Sequence, residues 1–460
     1  MFDKLSFRKS DGPIYLQIAG IIEERIANGQ LAVGDRLPPQ RDIAQSTGVN
    51  LTTVTRAFAS LQERGLVESR PGRGSIVADP SQVAVFKSAP LDRSGYIDLS
   101  VNRPATTGYL QALSALMTQL PADPRFTALQ DFHAPEGPVW AREAMAAWMS
   151  TLIGTVDPSN LVVTNGAQQA LGCVLRAIAR PGDVIVTDIV TYQGIGALCR
   201  SLDLVLKPVE VDGEGMSPAD FAAVCEADRP RAVFLIPTLH NPLTVTMSAE
   251  RKATLAATAR RHGVLIIEDD VYRALKPGAA PTFAQTNPDI TIHINSLSKC
   301  VAPGLRLGAV LAPEPMVFDI AAMLRIDCWS ISALNALIAV RMIEEGTLDA
   351  IIAGQVAEFR NRQEIVQSIL SGHDLATDDV SPHCWLRLPD PWHGNSFVKA
   401  AHRDGVGVLS GEAFAVTREC IPHAVRINLG AARTHEDLRS GLDKLCQILK
   451  SDRRRYEALQ

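Results

Sequence analysis

The chain has no apolar run approaching the ~18 residues that cross a bilayer, and Met1 to Ser10 hold no apolar stretch of signal-peptide length. A soluble, cytosolic protein without membrane contact is expected. Paired cysteines are missing as well: the eight at 173, 199, 225, 300, 328, 384, 420 and 446 form no CxxC. Neither zinc nor a disulfide framework is therefore indicated, and they read as reduced, mostly buried small side chains. Strong net charge is also lacking. At −5 over 460 residues, the balance argues against a nucleic-acid partner until its distribution is considered. Residues 1–78 carry ten Lys and Arg against eight Asp and Glu, and the remainder 35 against 42. The first segment is mildly basic, so any grip on phosphate rests on a few placed arginines rather than a broad positive field.

A chain of 460 residues exceeds one ordinary core, and two or three domains are expected. The first reads as three helices and a hairpin. After Gly12 and Pro13, residues Ile14, Ile18, Ile21, Ile22 and Ile26 recur on one apolar stripe of a helix ending near Asn28 and Gly29. Pro38 and Pro39 fit the first turn of a second short helix, PPQRDIAQSTG, closed by Gly48. The third helix, VNLTTVTRAFASLQERG, has Asn50 as its N-cap and packs through Val54, Phe58 and Leu61. Two short helices separated by a tight glycine turn place the second in the major groove, so Asn50, Thr52, Thr53 and Arg56 would face DNA. LVESRPGRGSIVA then reads as two strands around RPGRG, a wing bringing Arg70 and Arg73 to the backbone or minor groove.

With PIYLQIAG, GDRLPPQRDIA and RGLVESRPGRGS, residues 13–78 resemble the winged helix-turn-helix of the GntR superfamily over the whole module. The resemblance implies double-stranded operator DNA as a partner, with Arg41, Asn50, Thr52, Thr53, Arg56 and Arg73 as contacts. Each arginine has the alternative of a solvated charge or an ion pair within the module. Leu51 departs from the polar or basic residue many members carry. That means one hydrogen bond fewer to the operator, or a contact with a thymine methyl.

Residues 79–95, DPSQVAVFKSAPLDRSG, show no period and read as a short linker. Beyond it, the apolar runs LVVTNG, GDVIVTD, LVLKPVEV, AVFLIPT, GVLIIEDD and ITIHINS recur, with helical segments such as AQQALGCVLRAIAR and SAERKATLAATARRHG between several of them. Runs apolar on both faces and joined by helices predict an α/β domain with a mostly parallel sheet covered on both sides. Ligands of such sheets bind beyond the carboxyl ends of the strands. There the sequence puts NGAQQAL, a turn into a helix whose amides at Gly166, Ala167 and Gln168 suit a phosphate. It also puts Asn241 in LHNP, Asp269 and Tyr272 in EDDVY, Ser296, Ser298 and Lys299 in SLSK, and Arg306 seven residues on. An aldehyde-bearing pyridine phosphate needs this set: an amine for a Schiff base, a carboxylate for the ring nitrogen, a hydroxyl and an amide for the phenolic oxygen, and donors for the phosphate. Each piece is common alone; five in this order are not.

On those motifs, residues from about 96 to 450 resemble the fold-type I pyridoxal 5′-phosphate enzymes of the aspartate aminotransferase class, especially the aminoadipate and kynurenine branch. The resemblance implies pyridoxal 5′-phosphate as cofactor and Lys299 as the residue forming its internal aldimine. Asp269 rather than Asp270 would meet the pyridinium nitrogen, because Tyr272 lies three residues on. Asn241 and Tyr272 would bind the phenolic oxygen, and Tyr192 of VTYQG would stack on the ring. Gly166, Ala167, Gln168, Ser296, Ser298 and Arg306 would surround the phosphate. Arg426 in AVRINLG would clamp a substrate or effector carboxylate, a structural salt bridge being its alternative. FHAPEGPVWAREAMAAW departs from the family's YxxPxGxxxLRxAIA at Phe132 and Trp140, on the substrate side. VNRPATTGYL stands where the family places an N-terminal arm, with Arg103 a candidate for a ligand's distal group.

Head, linker and aminotransferase-like domain together resemble the MocR subfamily of GntR regulators. The division implied is a winged helix-turn-helix at 1–78, a linker at 79–95 and a cofactor-binding domain at 96–460. The last would comprise a large subdomain at about 110–335 and a smaller C-terminal α+β subdomain at about 340–455. A homodimer is implied too, with sites completed across the interface and paired operator half-sites. The expected function is a transcription regulator that senses pyridoxal 5′-phosphate, or an amino acid or amine, through Lys299. Such an effector acts only by differential affinity for two arrangements of the dimer. One alternative is an aminotransferase with an appended DNA-binding head, since Lys299, Asp269 and Arg426 are all present. Another is a regulator that no longer uses the cofactor, against which the intact set argues.

Overall fold

A computed structural model describes residues 13–27, 29–63, 66–70, 74–78, 95–417 and 421–451; Arg73 and most of the expected linker lie outside the described residues. Helices Ile14–Ala27, Gln40–Thr47 and Leu51–Glu63 form the head with the antiparallel pair Val67–Arg70 and Gly74–Val77. The apolar stripe of the first helix supplies Ile18 and Ile22, fully buried in one cluster with Val54, Phe58 and Leu61. Burying each such side chain stabilises the module by about 1.5–3 kcal/mol. The second helix starts later than its sequence suggests. Pro39 is extended (φ −53°, ψ 138°) and its carbonyl accepts from the Asp42 and Ile43 amides at 2.9 and 3.1 Å. A proline drives the residue before it out of the helical region, which excludes Pro38, and Pro39 itself is the extended N-cap, so the helix begins at Gln40. Gly48, at φ 66°, ends it in the left-handed region.

The large domain is built on a seven-stranded sheet in the order Leu161–Thr164, Gly308–Leu311, Thr291–Ser296, Leu265–Asp269, Ala232–Leu235, Val184–Asp188, Val205–Val209. Six strands run one way; Gly308–Leu311, which the sequence pattern did not reveal, is antiparallel to both neighbours. The pleat sends alternate residues to opposite faces. Thus Ile267 joins the core shared with helix Ala167–Ile178, whereas Ile266 joins the one beneath Pro218–Asp228 and Ala249–His262.

A second, antiparallel sheet orders Leu375–Ala376, His383–Arg387, Ala424–Asn428 and Leu409–Ser410. One apolar cluster runs through both sheets and helices Thr347–Leu370, Gly394–Arg403 and His435–Lys450, binding the two parts into a common core. Ile97–Asp98 pairs in parallel with Val406–Gly407, after which the chain crosses to the strand ends at Ser100–Arg103. Among the described residues no helix is long and apolar enough to cross a membrane.

Candidate functional site

Asp269 ends its strand on the face of Ile267, while Glu268 and Asp270 take the opposite face, where they meet His293. Lys299 and Arg306 follow the Thr291–Ser296 strand, and Arg426 sits in the middle of Ala424–Asn428. These residues converge. Arg426 Nη1 donates to Asn241 Oδ1 at 2.9 Å and Nη2 to the Ser100 carbonyl at 2.7 Å. Lys299 Nζ donates to the Asn102 carbonyl at 3.0 Å, and Tyr272 Oη accepts from Asn102 Nδ2 at 2.6 Å. Tyr192 donates to Gln168 Oε1 at 2.8 Å. Gly194 makes room for that ring, since a Cβ there would lie 2.3 Å from it.

Burial sets the charges. It pushes the Lys299 amine down to about 8, helped by the positive Arg426 and opposed by Asp269. Burial and the neighbouring Asp270 push the Asp269 carboxyl up to about 7. Arg426 falls to about 10 through burial, against the pull of Tyr272 and Tyr192. Burial raises both tyrosines, Tyr192 to about 12. Asp269 Oδ1 and Arg426 Nε are buried with no hydrogen-bond partner among the described residues. Other buried atoms share that lack, both Asp270 oxygens among them; Asp269 Oδ1 and Arg426 Nε are set apart by belonging to side chains that act on Lys299.

Gly166, at φ 94°, precedes helix Ala167–Ile178 and offers no side chain to cap it, leaving the first amides open to an anion. A Cβ at Gly166 would lie 3.0 Å from the Arg306 guanidinium, which donates to the Asn165 carbonyl at 2.7 Å. Ser296 Oγ lies 3.1 Å from the Leu307 carbonyl and 3.0 Å from Ser298 Oγ. Amides and guanidinium thus form one cradle, and Gly308, paired with both Thr164 and Ser296, sets the serine hydroxyls one strand away.

Sequence motifs missed Asn102, Ser100 and Asn428, whose amide bonds Asn102 Oδ1 at 3.0 Å. Asn102 and Asn428 lie in VNRPATTGYL and AVRINLG, segments singled out for Arg103 and Arg426, but their own residue types carry no motif chemistry. Arg103 is tied to the Ala431 carbonyl at 2.7 Å, and it is its neighbour Asn102 that touches Lys299 and Tyr272. Phe132 is exposed and tilted against Trp329; Trp140 is half-buried, edge-on to His133.

On the head, Arg41, Asn50, Thr52 and Arg56 are exposed and Thr53 half-buried. Asn50 Oδ1 accepts from the Thr52 amide and hydroxyl, both at 3.1 Å, so it caps the third helix. The Arg56 guanidinium lies 4.2 Å over the Tyr15 ring, and Leu51 is partly exposed beside Asn50.

Residues 14–77 match the GntR family of bacterial regulatory proteins, and residues 94–445 match aminotransferase class I and II. The chain is 29% identical over 446 residues to YdeF, an uncharacterised HTH-type transcriptional regulator of Bacillus subtilis (strain 168), covering 97% of this chain and 96% of the relative. It is 28% identical over 436 residues to PtsJ of Salmonella typhimurium, a vitamin B6 salvage pathway transcriptional repressor, covering 93% and 96%. An archaeal alanine:glyoxylate aminotransferase shares the fold at TM-score 0.72 and 24% identity, over 78% of this chain and 91% of that one. The chain therefore belongs to the regulators of MocR architecture, a GntR-type DNA-binding head followed by an aminotransferase class I and II domain whose cofactor is pyridoxal 5′-phosphate.

Proposed function

We propose that this regulator senses pyridoxal 5′-phosphate, or an amino acid or amine that reacts with it, at Lys299, and converts that occupancy into a change in operator binding. The orphaned Asp269 Oδ1 carries the proposal: a buried carboxylate oxygen without a partner is matched by a pyridinium N–H. Bound there, the cofactor supplies an aldehyde that condenses with primary amines.

The remaining roles follow from donor chemistry. The amine of Lys299, held near 8, is the group that takes the aldehyde. Asn241 and Tyr272 bind the phenolic oxygen, and Tyr192 stacks on the ring. Gly166, Ala167 and Gln168 offer amides to the phosphate, joined by Ser296, Ser298 and Arg306. Arg426, with Nε unpartnered, receives an effector carboxylate as a bidentate pair. Arg41, Asn50, Thr52, Thr53 and Arg56 contact the operator, with Arg73 of the wing. A homodimer presents two heads to paired half-sites. The relative named for vitamin B6 salvage supports the cofactor itself as one candidate signal.

The test starts from purified protein, which should absorb above about 400 nm once loaded with cofactor. Lys299→Ala should abolish that band. A panel of amino acids and amines is then added while the band, keto-acid formation and operator affinity are followed. Rapid keto-acid formation with unchanged operator affinity would favour the second reading, an aminotransferase with a DNA-binding head, which the intact Lys299, Asp269 and Arg426 support.

A further inference from the structure

Asn102 touches the site through three atoms. Its carbonyl accepts from Lys299 Nζ, its Nδ2 donates to Tyr272 Oη, and its Oδ1 accepts from Asn428 Nδ2. The direction of these bonds is forced from one end. The Pro382 carbonyl can only accept, and it takes a hydrogen from Asn428 Nδ2 at 3.1 Å. That fixes which end of the Asn428 amide is nitrogen, and leaves Asn428 Oδ1 buried without a partner. The second hydrogen of the same nitrogen goes to Asn102, so the Asn102 atom facing it is oxygen. Asn102 Nδ2 is thereby turned to Tyr272, whose hydroxyl has to accept. A phenol has one proton, and this proton is not consumed by Asn102.

We propose that Asn102 is a positioning residue: locked by Asn428 and Pro382, it makes the Tyr272 hydroxyl an acceptor on the arm side and so reserves its proton for the ligand's phenolic oxygen. The inference rests on the cofactor-site reading above. Its chemistry is that of a polar chain aligned from a backbone carbonyl, each bond fixing the sense of the next. A hydrogen bond donated to the phenolic oxygen draws electron density from it and lowers the basicity of the nitrogen bonded to the cofactor carbon. The pH at which the visible band titrates therefore reports where the Tyr272 proton points.

The experiment uses the full-length, cofactor-loaded protein and follows the visible band across pH. Asn102→Asp replaces the donor by a carboxylate that accepts the Tyr272 proton, and should raise the titration midpoint by about one pH unit, a tenfold change in proton affinity. Asn428→Asp acts one bond further back: it turns the Asn102 amide around and should raise the midpoint too, without altering residue 102. The added charge of the aspartate is separated from the effect on the tyrosine in the Tyr272→Phe background. There the Asn102→Asp shift should shrink to a few tenths of a pH unit. A shift of equal size with and without the tyrosine hydroxyl, or no shift in either aspartate variant, overturns the proposal. Failure of the wild-type protein to develop the band at all would instead overturn the cofactor-site reading on which it rests.

Discussion

Asp269→Asn should make the cofactor-free protein more stable at neutral pH and the cofactor-loaded protein less stable than the corresponding wild-type forms. Burial and Asp270 raise the Asp269 carboxyl from its ordinary 3.8 to about 7. Below the lower value the group is protonated both folded and unfolded, and its burial carries no ionic cost. Between the two values stability falls as pH rises, and above the upper value the full cost is present. Three pH units at ~1.36 kcal/mol each set a ceiling of about 4 kcal/mol. Asparagine removes the charge but puts an amide where Oδ1 has no partner, which returns about 1–3 kcal/mol. A net gain of about 1–3 kcal/mol is therefore expected at about pH 8, shrinking as pH falls and turning into a loss of about 1–3 kcal/mol near pH 4, where only the amide penalty remains. Urea midpoints of the stripped proteins at both values measure it. Adding pyridoxal 5′-phosphate gives the wild-type carboxylate its missing partner and should reverse the order of the two proteins. Equal midpoints of the stripped proteins at the higher pH, or an unchanged order after loading, would refute the reasoning.

Three further outcomes are expected. With its amine lowered to about 8, roughly one Lys299 in ten is neutral at pH 7, against about one in 3,000 for an ordinary lysine. Capture of the cofactor by stripped protein, timed by the visible band, should accelerate ~tenfold per pH unit up to about 8 and then level; a climb continuing to pH ~10 would contradict the lowered value. Gly166→Ala forces a side chain into φ 94° and toward Arg306, and should weaken retention of pyridoxal 5′-phosphate on dialysis by about tenfold or more. Binding of pyridoxal, which lacks the phosphate, should be little affected, and an equal loss for both would show that the cradle does not serve the phosphate. Arg56→Ala should weaken operator binding and reduce its salt dependence by about one counterion. Because the stacking on Tyr15 contributes only about 0.5–1 kcal/mol, the head should stay folded and the visible band unchanged.

Much of the sheet was legible because its strands are apolar on both faces, as in Leu161–Thr164 and Ala232–Leu235. Gly308–Leu311 escaped because four residues directly after a functional motif carry too little periodicity, and its antiparallel insertion is a tertiary choice. The same divide runs through the site. Lys299, Asp269, Tyr272, Arg306 and Arg426 could be picked out because chemistry dictates their type and strand ends dictate their spacing. Asn102 and Asn428 orient other groups across 170 residues to Tyr272 and 326 residues to each other. No local pattern encodes that.

The three consecutive carboxylates of Glu268, Asp269 and Asp270 show why the fold was needed to separate equivalent residues. The pleat sends the outer two to one face, where burial works to raise Glu268 but His293 and the amides of Phe283 and Ala284 hold it low. Burial and Glu268 raise Asp270, with His293 and the Lys252 ammonium acting against them on that face. Asp269 alone faces Lys299. Its buried charge, with one oxygen unpartnered, destabilises the empty domain once it is ionised. A cationic ligand group that binds only the folded protein and pairs with that charge offsets the cost and adds it to the ligand's affinity. The instability expected of stripped wild-type protein and the tightness expected of its cofactor are therefore one quantity seen from two sides, which is why a single substitution at Asp269 should move them in opposite directions.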